Sequence, residues 1–114
     1  MNMKLDVVRN NNARKFEMAS RMNRNKLPFA RKQSRMHYNL QFDLCMDAFE
    51  KGEHFLVEAV LDTSNLKERL RADFVNLDKG EIWEVDCRDE SLASLERKKD
   101  IWLKNGFRFV VMND

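Results

Sequence analysis

Residues 69–87 read RLRADFVNLDKGEIWEVDC, and this stretch decides the fold. Two runs rich in β-branched, aromatic and apolar residues, 69–77 and 81–87, flank the tetrapeptide Asp78-Lys79-Gly80-Glu81, whose glycine can take the positive φ of a tight turn. The pattern predicts a β-hairpin. Side chains alternate along a strand, so Glu84 and Asp86 project from one face, and Trp83, Val85 and Cys87 from the other.

The register decides where Asp73 falls. With Lys79 and Gly80 as a two-residue loop, Asp78 pairs with Glu81, and Asp73 stands opposite Asp86 and diagonal to Glu84. A type I turn with a bulge at Gly80 pairs Leu77 with Glu81 instead. That moves Asp73 to the face of Val85 and splits the cluster. In the first register three carboxylates converge, at a cost of a few tenths to about 1 kcal/mol for each facing pair. A divalent cation reverses the sign of that term. Magnesium takes one or two carboxylates plus waters and phosphate oxygens, which suits so small a cluster. Bound there, it polarises a phosphoryl oxygen and activates a water. Asp73, Glu84 and Asp86 are therefore candidate metal ligands and catalytic groups. In the competing reading they are surface charges on a solvated strand.

Working outward, residues 54–61 (HFLVEAVL) read as a strand before the hairpin, with turn chemistry at 62–65. Upstream, Ser34 is placed to cap a helix over residues 35–51. Its apolar face carries Leu40, Leu44, Cys45 and Ala48, its acids Asp43, Asp47 and Glu50 lie elsewhere, and Gly52 ends it. Downstream, Asp89 or Ser91 opens a second helix with Leu92, Leu95, Trp102 and Leu103 as buried positions, closed by Asn105-Gly106. Residues 107–112 (FRFVVM) form a last strand. Residues 1–33 hold the only proline and an asparagine run, and read as a flexible or partly helical arm, with a short helix over 13–22 as its one candidate. The domain proper spans 34–114.

At 114 residues the chain supports one core. With 43% hydrophobic and 35% charged residues it has the composition of a globular protein rather than a disordered one. No apolar run is long enough to span a bilayer. The N-terminus lacks the features of a secretory signal, so an intracellular protein is expected. Cys45 and Cys87 are far apart and form no Cys-X-X-Cys pair, which argues for buried, reduced thiols. Three glycines leave no room for a Gly-rich phosphate cradle.

The net charge of +2 hides an asymmetry. Residues 1–37 carry ten Lys or Arg against two acids, while the remainder carries eleven against seventeen. The first part is thus +8 and the rest −6. A basic arm on an acidic body suggests a polyanion partner, and Arg14, Lys15, Arg21, Arg24, Lys26, Arg31, Lys32 and Arg35 are its candidate phosphate contacts.

The order of helix, three-stranded antiparallel meander, helix and strand, with Arg-Ala-Asp-Phe-Val at 71–75 and Glu-Ile-Trp-Glu-Val-Asp at 81–86, resembles the PD-(D/E)XK nuclease superfamily. The look is closest to small archaeal or viral nucleases and Holliday-junction resolvases. The resemblance covers residues 35–112. It implies an α+β, restriction-endonuclease-like αβββαβ core with a mixed four-stranded sheet flanked by helices. It also implies Mg2+-dependent hydrolysis of DNA, with Mn2+ as a substitute cation, in DNA repair or recombination. Such members commonly act as homodimers. Glu58 matches an acid on the first strand of some members. The third motif position is usually lysine and here is Asp86. Other members move that lysine to a helix, which makes Lys98 or Lys99 a candidate, ahead of Arg71 and Arg88. His37 is a further candidate from the first helix, whereas His54 reads as an ordinary strand-start residue. Loss of the lysine also fits a nuclease-like fold without catalysis, acting as a nucleic-acid-binding or assembly module. Tyr38, Trp83 and Trp102 read as core.

Overall fold

The computed structural model describes residues 3–17, 24–27, 33–62, 70–85 and 89–112. Seven elements follow in the order α1 (Met3–Ala13), α2 (Arg35–Glu50), β1 (Phe55–Val60), β2 (Arg71–Asn76), β3 (Glu81–Val85), α3 (Leu92–Lys104) and β4 (Arg108–Met112). The protein is α+β, with three helices and one mixed four-stranded sheet, in the order β1-β2-β3-β4, among the described residues. β1, β2 and β3 form an antiparallel meander, and β4 returns parallel to β3 through α3.

The β2–β3 turn follows neither register expected from the sequence. Asn76 pairs with Glu81, Val75 with Ile82 and Phe74 with Trp83, leaving residues 77–80 as a four-residue loop. The cause is the Asn76 side chain. Its Oδ1 accepts from the backbone N–H of both Asp78 and Lys79 at 3.0 Å, an Asx-type closure that competes with a two-residue turn. Gly80, at φ +64°, completes the loop and donates its N–H to Asn76 O at 2.9 Å. The shift is by two residues relative to the two-residue loop, so it preserves which face each side chain takes.

The sheet is covered on both faces. Phe55, Val57 and Phe74 meet Cys45 and Ala48 of α2, with Trp83 packed against them. On the other face Leu56, Val75, Leu77 and Ile82 meet Trp102 of α3, Phe107, and Ala13 and Phe16 of the N-terminal segment. The Phe16 ring lies tilted against Trp102 at 5.9 Å and Phe107 at 5.4 Å, ring centre to ring centre.

The first helix ends where the candidate helix of the arm was expected to begin. The asparagine run Asn10–Asn12 has low helix propensity, and contacts with the body hold it in place. The Arg9 guanidinium pairs with Asp78 at 2.6 Å, and Asn12 Nδ2 donates to Leu77 O at 2.6 Å. Residues 18–22 of the expected helix lie outside the described residues.

Ser34 caps α2 as expected, its Oγ accepting from His37 N at 3.1 Å. The buried positions are Leu40, Gln41, Cys45 and Ala48, and burial pushes the Cys45 thiol up to about 12. Ser91 caps α3 by accepting from Ser94 N at 3.1 Å. The expected apolar stripe of α3 is corrected: Trp102 is fully buried, whereas Leu92 is 75% and Leu103 50% exposed. One tryptophan, with half-buried Leu95 and Ile101, seats the helix. No helix among the described residues is long and apolar enough to cross a membrane.

Candidate metal centre

One step along the β2–β3 register past Phe74 and Trp83, Asp73 faces Glu84. On its other side Asp73 faces Glu58, which lies between the paired positions Val57–Phe74 and Ala59–Ala72. β1, β2 and β3 thus each contribute one acid to a single row. Asp86, expected opposite Asp73, lies outside the described residues, and Glu84 takes the place opposite Asp73 instead.

Glu58 has φ +53°, a left-handed conformation that costs a non-glycine residue about 1–3 kcal/mol and persists only where its surroundings enforce it. Here they do. Its Oε1 accepts from Gln33 Nε2 at 2.7 Å and from Gln41 Nε2 at 2.7 Å, and His37 Nε2 lies 3.1 Å from it. All three side chains come from α2 or the residue before its cap. Gln41 also donates to the backbone carbonyl of Asp73 at 3.0 Å, so one fully buried amide ties the acids of β1 and β2 to the helix. The exposed Arg71 guanidinium lies 3.8 Å from Glu58 Oε2.

Asp73 and Glu84 are close enough for their carboxyls to hydrogen-bond to each other. Asp73 is further oriented by Val85 N–H, which donates to Oδ2 at 2.9 Å, while its Oδ1 lies 3.7 Å from His37 Nε2. Burial is the main force on both groups. It raises Asp73, against the lowering effect of its hydrogen bonds with Glu84 and Val85. It pushes Glu84 up to about 9, assisted by the adjacent Asp73 charge. Two carboxyls in this situation share a proton, because both cannot ionise in a dry site at neutral pH. Glu84 Oε1 is buried and accepts no hydrogen bond.

A second cation reaches the row from α3. Lys98 Nζ lies 3.9 Å from Glu84 Oε1 and 2.6 Å from Glu90 Oε1. Ser94 Oγ donates to Glu90 at 2.8 Å. Burial would raise the Glu90 carboxyl, but the hydrogen bonds from Lys98 and Ser94 hold it below its ordinary value. Of the two candidate lysines Lys98 reaches the acids, whereas Lys99 is exposed.

His37, Glu58 and Asp73 each offer a ligand atom within 4.8 Å of the others. Two carboxylates and an imidazole are thus near enough to offer ligands to one cation, with Glu84 beside Asp73 in the same row.

Of the residues singled out in the sequence, the structure brings Asp73, Glu84, Glu58, His37 and Lys98 together. It missed Gln33 and Gln41, whose side chains fix Glu58, and it missed Glu90. One signal was present: His37, Gln41 and Cys45 recur at four-residue steps, which puts a glutamine on the buried face of α2.

The basic residues have mixed surroundings. Arg14, Lys26 and Arg35 are exposed. Lys15 donates to Asn105 O at the end of α3 at 2.8 Å and lies 4.8 Å over the Phe107 ring, where it neutralises the helix terminus. Arg24 donates to Asn10 Oδ1 at 3.0 Å. Arg21, Arg31 and Lys32 lie outside the described residues. No family model, curated protein or solved structure matches the chain.

Proposed function

We propose that the chain is a metal-dependent nuclease that hydrolyses DNA phosphodiester bonds, on a restriction-endonuclease-like core formed by α2, β1–β3, α3 and β4. The observation that carries this reading is the buried pair Asp73–Glu84, facing across two strands with Lys98 3.9 Å from Glu84. A structural role for that pair is costly, since it forces one carboxyl to keep its proton up to about 9. Mg2+ or Mn2+, when bound, neutralises the carboxylates, polarises a phosphoryl oxygen and makes a water nucleophilic.

The protein's own residues do the remaining work. Asp73 and Glu84 hold the ion, with Glu58 as an outer carboxylate, and Val85 N–H and the Gln41 amide fix their geometry. Lys98 orients the attacking water and balances charge developing on the phosphate. Exposed Arg71, 3.8 Å from Glu58, offers positive charge to a phosphate chain approaching the acidic row. Asp86 remains a third ligand or water-orienting group in this scheme.

The test is cleavage of supercoiled, branched and single-stranded DNA with Mg2+ or Mn2+ by the wild type, Asp73→Asn and Glu84→Gln. Cutting by the wild type that both variants lose supports the proposal. Wild-type protein that binds DNA in a salt-sensitive way but never cuts it would sink the catalytic reading, in favour of a nuclease-like binding module. The arm cannot be deleted for this purpose, because Ala13 and Phe16 belong to the core. Its charges are removed by substitution at Arg14, Lys26, Arg31 and Lys32.

A further inference from the structure

We propose that His37 is a direct nitrogen ligand of the cation in the Asp73 site, and that the site therefore favours a first-row transition cation over magnesium. This inference rests on the metal-dependent reading above and adds the identity of the ligand set to it.

Distance is the first argument. With metal–ligand bonds of about 2.0–2.2 Å, two ligands at right angles stand about 3 Å apart and two at a tetrahedral angle about 3.5 Å. His37 Nε2 lies 3.1 Å from Glu58 Oε1 and 3.7 Å from Asp73 Oδ1, and the three ligand atoms fall within 4.8 Å. His37 Nε2 therefore stands from each of the two acids at the spacing of two ligands on one ion.

The second argument concerns atoms outside the triad. Gln41 is completely buried, and its Oε1 has no donor. The amide cannot be turned to cure this, because its Nε2 faces two acceptors, Glu58 Oε1 and Asp73 O. Glu84, 4% exposed, leaves Oε1 in the same condition. Two buried acceptors without donors beside one acidic row is an arrangement that water on a hydrated cation satisfies, and that a purely internal hydrogen-bond network does not.

The third argument is chemical. Magnesium takes oxygen ligands and keeps its waters, whereas imidazole suits transition cations, whose affinity rises from manganese to cobalt. His37 is fixed for the role by its place in the first turn of α2, where its backbone N–H is already held by the Ser34 cap.

The experiment titrates the full-length, chelator-treated protein with Mg2+ and separately with Co2+, following heat and cobalt visible absorption, for wild type and His37→Ala. The expected result is a loss of about tenfold or more in Co2+ affinity in the variant with less than about threefold change for Mg2+. Equal losses for both ions, or none, overturn the proposal. A measurement independent of folding of the variant uses wild-type protein loaded with Mn2+. Pulsed electron paramagnetic resonance is expected to show hyperfine coupling from a directly bound nitrogen, which persists in His54→Gln. Bound Mn2+ without that coupling overturns the nitrogen ligand alone and leaves the carboxylate site standing. Failure of all three ions to bind overturns both this inference and the nuclease reading beneath it.

Discussion

Asp73 and Glu84 meet across the β2–β3 ladder as a buried carboxyl pair, one held by the backbone N–H of Val85 and the other carrying an oxygen with no donor. Neither residue is placed by its neighbours in sequence. Their meeting depends on the loop between them, and their chemistry depends on α2 and α3 closing over opposite sides of the same row.

Stability of the metal-free protein is expected to fall as pH rises. Burial, aided by Asp73, holds Glu84 at about 9 against an ordinary value of 4.5, so the native state keeps a proton that the unfolded chain has released. The contribution is fully present below 4.5 and is lost through the window from 4.5 to 9, at up to about 1.4 kcal/mol per pH unit. Glu84→Gln is expected to flatten this slope and to raise the urea midpoint at pH 8 while leaving it nearly unchanged at pH 5. Parallel slopes for the two proteins would show that the pair is not the titrating element.

If the proposed reaction holds, Lys98→Met lowers turnover on the order of a hundredfold, since it removes a charge that acts on the transition state. KM for DNA and the affinity for the ion change by only a few-fold. A variant that loses binding and turnover together would instead mark Lys98 as a substrate-binding cation.

Glu58→Asn is expected to fold at least as well as wild type, within about 1 kcal/mol, because asparagine tolerates the left-handed backbone better than glutamate. It is also expected to bind divalent ions more weakly. Calorimetric melting and ion titration on the same sample check both halves. A large loss of stability would show that the carboxylate is held for packing reasons.

Phe16→Ala is expected to destabilise the protein by about 3–5 kcal/mol, measured by denaturant unfolding, because Phe16 fills the space between Trp102, Phe107 and the sheet. A change under 1 kcal/mol would mean that the N-terminal segment is dispensable to the core.

Much of this architecture was legible in the chain, and the failures have physical causes. Strands expected at 54–61, 69–77, 81–87 and 107–112 appear as β1 to β4 within those spans, because alternation and β-branched content report sheet burial directly. The cap at Ser34 set the start of α2. The register of the hairpin was not legible, since glycine in Asp-Lys-Gly-Glu signals a two-residue turn and the opposing instruction sits upstream in a buried side chain, Asn76. The stripe of α3 misled because leucine spacing shows only where an apolar face can form, and the sheet offers that helix room for Trp102. α1 was invisible because its stability comes from partners dozens of residues away, Asp78 and Leu77. Asp73 and Glu84 drew notice because like charges converging across a hairpin demand an explanation, and Glu58 entered through the resemblance. The glutamines that aim them make no such demand.

Asp73 and Glu84 stand eleven positions apart in the chain, and the four-residue loop closed by Asn76 makes that separation fit the ladder. Inserting one residue in 77–80 would keep every acid in the chain and turn Glu84 toward the side now taken by Trp83. The site is therefore specified by a length as much as by a set of residues. A chain sharing every acid here, but with a loop one residue longer, would carry the letters of the site without the site itself.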